Sequence, residues 1–292
     1  MATVFKALLD NDRVSTRTLL HEAIPITGSI VSGTYVVGST AEEQNIKNYS
    51  HGQFQSVYDY PFLSSSANHI FDLTVGYSPH SALSGTSARL QQKEKINIYN
   101  QMAQILAGHD HTGAIRQFDK DGDLTGGEHI KECYFLNFNR LLAKDEIKKG
   151  SFKLELGVDP PFNASKGPFN QRILIQDTNA TTAFKTNSPA GEYAVLSASN
   201  GTGTPLHSSP SDCGLIYYQA GIAVLTASLF ASGSGHGQGG LLDLNQLSMS
   251  NVPADAPFDV NTVLTGTSIS GNCDMLRHRI YDIDFNNTTE LN

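Results

Sequence analysis

Alternation between apolar and polar positions recurs along the chain and predicts β-strands. Residues 68–77 alternate well, with Phe71, Leu73 and Val75 on one side, and residues 172–176 and 193–197 continue the pattern. Within residues 150–157 the large apolar side chains fall on one side, namely Phe152, Leu154 and Leu156. Because successive side chains of a strand point to opposite faces, these stretches are predicted to be strands with one buried face.

An apolar run over residues 214–230 allows two interpretations. Residues 214–226 can form a hairpin that bends at residues 219–221, and a buried helix through the same residues is the alternative. The run is interrupted by Gln219 and Gly221 and extends over about 17 residues, whereas a bilayer-spanning helix needs about 20. We therefore expect a buried segment and no membrane insertion.

A helical period marks residues 88–107 as the main amphipathic helix. Ser87 is a suitable N-cap, and Gly108 supplies a C-terminal stop. The predicted buried face is apolar and consists of Leu90, Ile96, Tyr99, Met102, Ala103 and Leu106. The predicted solvent face is polar and consists of Gln91, Gln92, Lys93, Glu94 and Lys95. Such a helix is expected to pack on a sheet.

These elements together predict an α+β fold dominated by β-structure. We expect antiparallel sheets in a sandwich-like arrangement with one main helix near residues 88–107. Residues 1–86 form a predicted N-terminal β-rich segment, and residues 87–285 form the main α+β domain. Residues 231–240 are rich in glycine and serine and are predicted to be a flexible loop. Residues 286–292 form a C-terminal tail.

Composition narrows the choice of partners. The 292 residues include 20 Lys and Arg against 28 Asp and Glu, which gives a net charge of −8. This acidic balance argues against direct binding to nucleic acid.

The three cysteines lie far apart and outside metal-binding spacings, so neither a disulfide framework nor a zinc site is expected. The N-terminal residues do not resemble a signal peptide, and the cysteine usage favours synthesis in a reducing cytoplasm.

An acidic string at residues 118–129 gives the best candidate metal ligands that the sequence suggests. Asp119, Asp121, Asp123 and Glu128 are weak candidates for Ca²⁺, which prefers carboxylate and carbonyl oxygens. An EF-hand loop needs Gly at its sixth position and Glu at its twelfth, and Leu124 and Ile130 occupy those positions here. A solvated acidic turn is therefore the favoured interpretation, and we expect no metal and no cofactor.

Motifs of catalysis are weak throughout the sequence. His109 and His111 could bind a metal but lack a third ligand at a suitable spacing. We find no nucleophile elbow, and the glycines around His236 lack the lysine and following helix of a phosphate-binding loop. A pair of carboxylates for glycoside hydrolysis could be assembled in three dimensions without leaving a sequence motif. The sequence therefore predicts a protein that is not an enzyme.

The densest cluster of charges lies at residues 140–150. One interpretation is an assembly surface that pairs with a neighbouring subunit, and the favoured alternative is a solvated connection between two strands. The candidate residues of the assembly surface are Arg140, Lys144, Asp145, Glu146, Lys148 and Lys149.

Three parts of the chain together resemble a class of virion structural proteins from T-even-like, contractile-tailed marine cyanophages. They are residues 57–72 (VYDYPFLSSSANHIFD), residues 135–152 (FLNFNRLLAKDEIKKGSF), and residues 187–193 (NSPAGEY) with 214–225 (GLIYYQAGIAVL). The resemblance covers roughly residues 50–285. It implies an assembly role without catalytic residues, in the tail, baseplate or fibre attachment rather than in the capsid. It also implies that relatives continue with further strands beyond the position of Asn292.

The leading hypothesis is therefore a structural subunit of a tailed bacteriophage virion that acts through protein–protein contacts. Expected partners are other virion structural proteins and further copies of the chain, without nucleic acid. One alternative is a capsid decoration protein. Another is a receptor- or glycan-binding module, in which Tyr58, Tyr60 and Tyr77 could serve, although aromatic residues on strands more often belong to the core. A hydrolase of the host envelope has no support from sequence motifs.

Overall fold

The computed structural model of the chain describes residues 35–37, 40–42, 45–85, 90–123, 126–142, 145–157, 172–200, 212–230, 260–277 and 279–288. Ser87, Lys144 and the predicted loop 231–240 lie outside the described residues.

The strands and helices of the described residues have the following bounds. The strands are β1 (Tyr35–Val37), β2 (Thr40–Glu42), β3 (Ile46–Asn48), β4 (Gln55–Tyr58), β5 (His69–Tyr77), β6 (Phe118–Asp119), β7 (His129–Ile130), β8 (Glu132–Asn137), β9 (Glu146–Ile147), β10 (Lys153–Gly157), β11 (Arg172–Gln176), β12 (Lys185–Ser188), β13 (Gly191–Asn200), β14 (Asp212–Tyr217), β15 (Ile222–Thr226), β16 (Ile280–Asp284) and β17 (Asn287–Thr288). The helices are α1 (Leu90–Leu106), α2 (Asn139–Leu142), α3 (Ala180–Ala183), α4 (Val260–Gly266) and α5 (Ile269–Arg277).

One antiparallel sheet of eleven strands organises the described residues. Its order is β16-β10-β11-β13-β14-β15-β8-β5-β4-β3, and β12 pairs with β13 beside this path. The prediction of a β-dominated α+β fold is therefore confirmed. Antiparallel β14 and β15 confirm the hairpin over residues 214–226 and exclude the alternative helix. No helix among the described residues is long and apolar enough to cross a membrane.

The large sheet curls back on itself. Strands β8 and β16 are six pairings apart in the sheet order, a separation of about 29 Å if the sheet were flat. Nevertheless Phe138, which follows β8, has its ring centroid 5.2 Å from that of Phe285, which follows β16. The two-stranded pairing of β9 with β17 joins the same two regions. Curling of one sheet, rather than two separate large sheets, produces the enclosed core of the described residues.

The sheet is continuous across the predicted segment boundary near residue 86. Strand β5, from the N-terminal segment, pairs with β8 along six residues of register. Residues 287 and 288, from the predicted tail, form β17. The predicted alternation in β10 is confirmed, because Leu154 and Leu156 are buried and Lys153 is exposed.

Helix α1 forms close to the predicted bounds, but the predicted faces are partly wrong. Leu90 is 72% exposed, whereas Gln92 and Lys95 are buried. The physical reason is that α1 is enclosed by more than the sheet. Its backbone lies against β5 at Gly76, and the Lys95 side chain reaches the C-terminal end of α4. The apolar period of a single helix carries no information about a second helical partner.

The buried Lys95 caps α4. Its Nζ donates hydrogen bonds to the carbonyl oxygens of Leu264, at 2.5 Å, and Thr267, at 2.6 Å. The last carbonyls of a helix lack partners within the helix, so this amine satisfies groups that burial would otherwise leave unpaired. Burial lowers the pKa of Lys95 to about 8, because a low-dielectric environment disfavours the charged amine.

Substitution of Lys95 by Met is expected to change how stability depends on pH. In the folded wild type the Lys95 pKa is about 8 and in the unfolded chain it is near 10.5. Between these values the unfolded state binds more protons, so the contribution of Lys95 to the free energy of unfolding rises with pH, by up to about 3 kcal/mol. Urea unfolding from pH 7 to 10 should show the wild type gaining stability relative to K95M.

The matched control for this experiment is K93M, which removes an exposed lysine from the same helix. At each pH the free energy of unfolding of each variant is subtracted from that of the wild type. This cancels the contribution from titration of tyrosines and cysteines, because their burial is shared by all three proteins. If the difference in free energy of unfolding between the wild type and K95M does not change with pH, as expected for K93M, the lowered pKa of Lys95 is contradicted.

Candidate functional site

The acidic loop at residues 118–129 brings together three of its four candidate metal ligands. The carboxylate oxygens of Asp119, Asp121 and Asp123 lie within 4.8 Å of one another. Asp119 is buried in the β6–β7 hairpin, and the other two aspartates are exposed. Glu128 is not in this group, because its carboxylate binds Lys120 at 2.8 Å.

Positive charge compensates part of this acidic loop. Lys120 holds the pKa of Glu128 below its usual value through a hydrogen bond and charge attraction. His129 Nδ1 lies 3.8 Å from Asp119 Oδ1. Three carboxylates could supply half of the six to eight oxygens that Ca²⁺ takes. The arrangement thus offers an incomplete oxygen shell, and the solvated acidic turn stays the favoured prediction.

A recess lies beside the acidic loop, between the end of α1 and strands β12, β13 and β14. It has about 230 Å³ of empty space, part of which is open solvent, and it borders Asp119. The stacked rings of Tyr193 and Tyr217, with centroids 5.0 Å apart, line one side. The Tyr193 hydroxyl donates to the carbonyl oxygen of Gly122 at 3.1 Å and ties the acidic loop to the sheet. The enclosed part of the recess has a volume of only about 10 Å³, room for about one water molecule, whereas sites for organic ligands span about 300–1,000 Å³.

The predicted assembly surface at residues 140–150 is partly built into the fold. Lys149 pairs with Glu192 and lies 4.7 Å from the ring centroid of Phe184. Glu146 belongs to β9, and the backbone amide of Lys148 donates to Asn286 at 2.7 Å. Asp145, Glu146, Lys148 and Lys149 are all half-buried. Arg140 on α2 is exposed, so it is the described member of the set most accessible to a partner.

Ser56, His69 and Asp72 lie together but in the wrong order for nucleophilic catalysis. His69 Nε2 is 2.6 Å from Asp72 Oδ1, and the Ser56 hydroxyl donates to the same oxygen at 2.5 Å. Burial raises the pKa of Asp72, but hydrogen bonds from His69 and Ser56 outweigh it and the pKa is lowered. A catalytic triad needs the histidine between the serine and the aspartate. Here the carboxylate lies between them, and Ser56 is buried.

The loop at residues 59–68 carries the most exposed large apolar side chain among the described residues, Leu63, together with the exposed Tyr60. Leu63 is 90% exposed and Tyr60 is 52% exposed. Asp59 fixes the base of the loop, because its two carboxylate oxygens accept from the backbone amide and side-chain amide of Asn68 at 2.6 and 2.8 Å. Within the loop, the Ser64 amide donates to Pro61. The apolar side chains therefore project from an ordered turn.

Aromatic and basic side chains border the 59–68 loop. Lys47 Nζ lies 4.8 Å from the ring centroid of Tyr49 and 5.9 Å from that of Phe62. Tyr58 is half-buried and packs edge-on against the His69 ring at 5.3 Å. Of the tyrosines proposed for receptor binding, Tyr60 is exposed but Tyr77 is fully buried. Tyr77 therefore belongs to the core, the alternative that a strand position favours, because β5 is covered on both faces.

The sequence pattern singled out Tyr60 of the 59–68 loop as a possible contact residue but did not indicate that Leu63 projects beside it. Leu63 lies between aromatic and serine residues, with no periodicity that distinguishes a projecting leucine from a core one. The signal that could have revealed it is the pair Asp59 and Asn68, two turn-forming residues that flank Pro61 and three serines.

Comparison with protein-family models, curated proteins and solved structures finds no match to this chain.

Proposed function

We propose that this chain is a structural subunit of a tailed bacteriophage virion, in the tail or baseplate, that acts through protein–protein contacts. The observation that carries the proposal is the 59–68 loop, which presents Leu63 and Tyr60 to solvent from a hydrogen-bonded base. The resemblance of residues 57–72 to cyanophage virion proteins includes this loop and supports the same conclusion.

An ordered apolar loop suits assembly for two reasons. Exposed leucine and tyrosine side chains lose water-accessible apolar surface when a partner covers them, which favours association. Because the loop is already held in one conformation, binding does not require it to become ordered. The expected partner surface is an apolar pocket on another virion protein that receives Leu63.

Receptor or glycan binding is the second candidate for the same surface. Tyr60 is exposed, and the nearby rings of Tyr49 and His51 stack at 5.2 Å with an interplanar angle of 11°. Purified chain bound to an array of host-surface glycans would favour this alternative. Binding to virion proteins without binding to glycans would favour the assembly role.

Substitution of Leu63 by Glu is expected to reduce incorporation of the chain into particles by about 10-fold or more. A buried contact residue of this kind contributes on the order of 2 kcal/mol to association. The measurement is the amount of variant chain in gradient-purified particles after complementation, relative to the wild type.

The matched control for L63E is S65E, which adds the same charge at a neighbouring exposed position of the loop. Both variants are expected to melt within a few degrees of the wild type, since an exposed substitution changes stability by only about 0.5 kcal/mol. Equal incorporation of L63E and S65E would overturn the role of Leu63.

A further inference from the structure

Strand β16 is the last strand at one end of the large sheet, and among the described residues it pairs with β10 alone. The register of this pair contains a bulge. Asp282 is opposite Glu155 and Ile280 is opposite Leu156, which leaves Tyr281 as an extra residue. Because a bulge interrupts the hydrogen-bond ladder, β16 is attached along one side only and through an interrupted ladder.

The charges on the solvent side of this strand pair are not balanced. Arg172 on β11 donates to Glu155 at 2.8 Å. Lys153 is opposite Asp284 in the register, whereas Asp282 is opposite Glu155, another carboxylate. Three carboxylates and two cations therefore meet on this described part of the sheet. Since Arg172 is already bound to Glu155, the excess negative charge lies at Asp282.

Protonation of Asp282 removes this excess charge. Like charges directly opposite each other in a sheet weaken the pairing of the two strands. Burial raises the pKa of Asp282 above its ordinary value of 3.8, and the charges of Glu155 and Asp284 raise it further. A hydrogen bond from the backbone of Ile283 and the charge of Arg172 act in the opposite direction, but the pKa stays raised. The paired strands thus hold the proton more tightly than the unfolded chain, so acid favours pairing and this contribution is lost as the pH rises through the folded-state pKa.

The residues that follow β16 cover part of the apolar core. Phe285 packs against Phe138, with ring centroids 5.2 Å apart, and against Phe152 at 6.4 Å. Strand β17 then pairs with β9. We refer to residues 280–288, which comprise β16, Phe285 and β17, as the C-terminal latch. Its detachment would uncover the rings of Phe138 and Phe152 beside β9.

We infer that the C-terminal latch is controlled by pH through Asp282, so that it closes more firmly in acid and opens more readily at neutral pH. The device consists of a carboxylate placed opposite Glu155 on a strand with a single neighbour. An open latch presents aromatic side chains that an apolar partner surface can cover. The inference concerns the chain alone and does not depend on the virion role proposed above.

Hydrogen–deuterium exchange of the purified chain, resolved by peptide, tests the latch. In D282N the excess charge is absent at every pH. At about pH 7.5 we expect the amides of β16 to exchange about 2–5 times more slowly in D282N than in the wild type. At about pH 4 the wild type binds the proton as well, so this ratio should fall towards 1. Because the two proteins are compared at the same pH, the intrinsic pH dependence of exchange cancels.

The matched control is D284N, because Asp284 lies on the same strand but is opposite Lys153. Its substitution removes the attraction to Lys153 together with the repulsion from Asp282, so no comparable slowing is expected. Peptides of β5 report on the rest of the sheet and should exchange equally in all three proteins.

Three results would overturn the inference. The first is a ratio of wild type to D282N that is the same at both pH values, and the second is a slowing by D284N as large as that by D282N. The third is a change in β5 as large as that in β16, which would show that the whole sheet opens rather than the latch. None of these results bears on particle incorporation.

Discussion

Replacement of Gly76 by alanine is expected to lower the free energy of unfolding by about 3 kcal/mol or more. A Cβ at this position would lie 2.7 Å from the carbonyl oxygen of Lys95 and 2.8 Å from the backbone nitrogen of Tyr99. Both atoms belong to the backbone of α1, so no side-chain rotation can relieve the clash. The helix must move away from β5, and overpacking that shifts backbone costs about 1–3 kcal/mol or more.

Chemical denaturation of G76A, followed by circular dichroism, measures this loss. The matched control is G85A, because a Cβ at Gly85 meets no heavy atom within 4 Å. We expect G85A to retain the stability of the wild type to within about 1 kcal/mol. Equal stabilities of G76A and G85A would show that α1 does not lie against β5 at the distance described.

The second large effect is expected for Asp177→Ala, with a loss of about 3–5 kcal/mol. Asp177 follows β11 and is 1% exposed. Its carboxylate accepts from the amides of Gly150 and Phe152, at 2.7 and 3.0 Å, and from the Tyr218 hydroxyl at 2.8 Å. Alanine would leave these donors without an acceptor, and Phe152 and Tyr218 are buried. One carboxylate therefore joins the start of β10 to the turn between β14 and β15.

A graded comparison with Tyr218→Phe tests this interpretation. Y218F removes one donor and leaves the two backbone amides bound, so it should cost about 1 kcal/mol. Urea unfolding of D177A, Y218F and the double variant gives their coupling energy. We expect D177A to be the more destabilising and the double variant to be close to D177A alone. Equal, additive losses for the two single variants would contradict a shared acceptor.

Local sequence patterns were sufficient to predict six of the eleven strands of the large sheet, namely β5, β10, β11, β13, β14 and β15. The alternation at residues 150–157 and the hairpin at 214–226 depend on neighbours in the chain, and both predictions are confirmed. The curling of the sheet could not be predicted, because it depends on contacts such as that of Phe138 with Phe285. The buried side of α1 was predicted only in part. Lys95 is buried because it binds Leu264, which lies 169 residues further along the chain.

At the candidate sites too, the sequence predicted which neighbouring residues could share a centre, but not the contacts that depend on the folded chain. Aspartates at alternate positions predicted that Asp119, Asp121 and Asp123 could share a centre, and they do lie together. The spacing of the acidic residues could not show where the Glu128 side chain points, because its carboxylate pairs with Lys120 across the hairpin. The projecting Leu63 had no sequence signature, since its exposure follows from how Asp59 and Asn68 close the loop.

The composition of purified particles tests the proposed function most directly. The experiment is quantitative mass spectrometry of gradient-purified, salt-washed virions from a cyanophage whose genome carries this sequence, the source that we propose for the chain. We expect the chain to stay with the particles at a fixed ratio to the tail or baseplate proteins. A chain that is found in the soluble lysate and is absent from the washed particles would contradict a structural role.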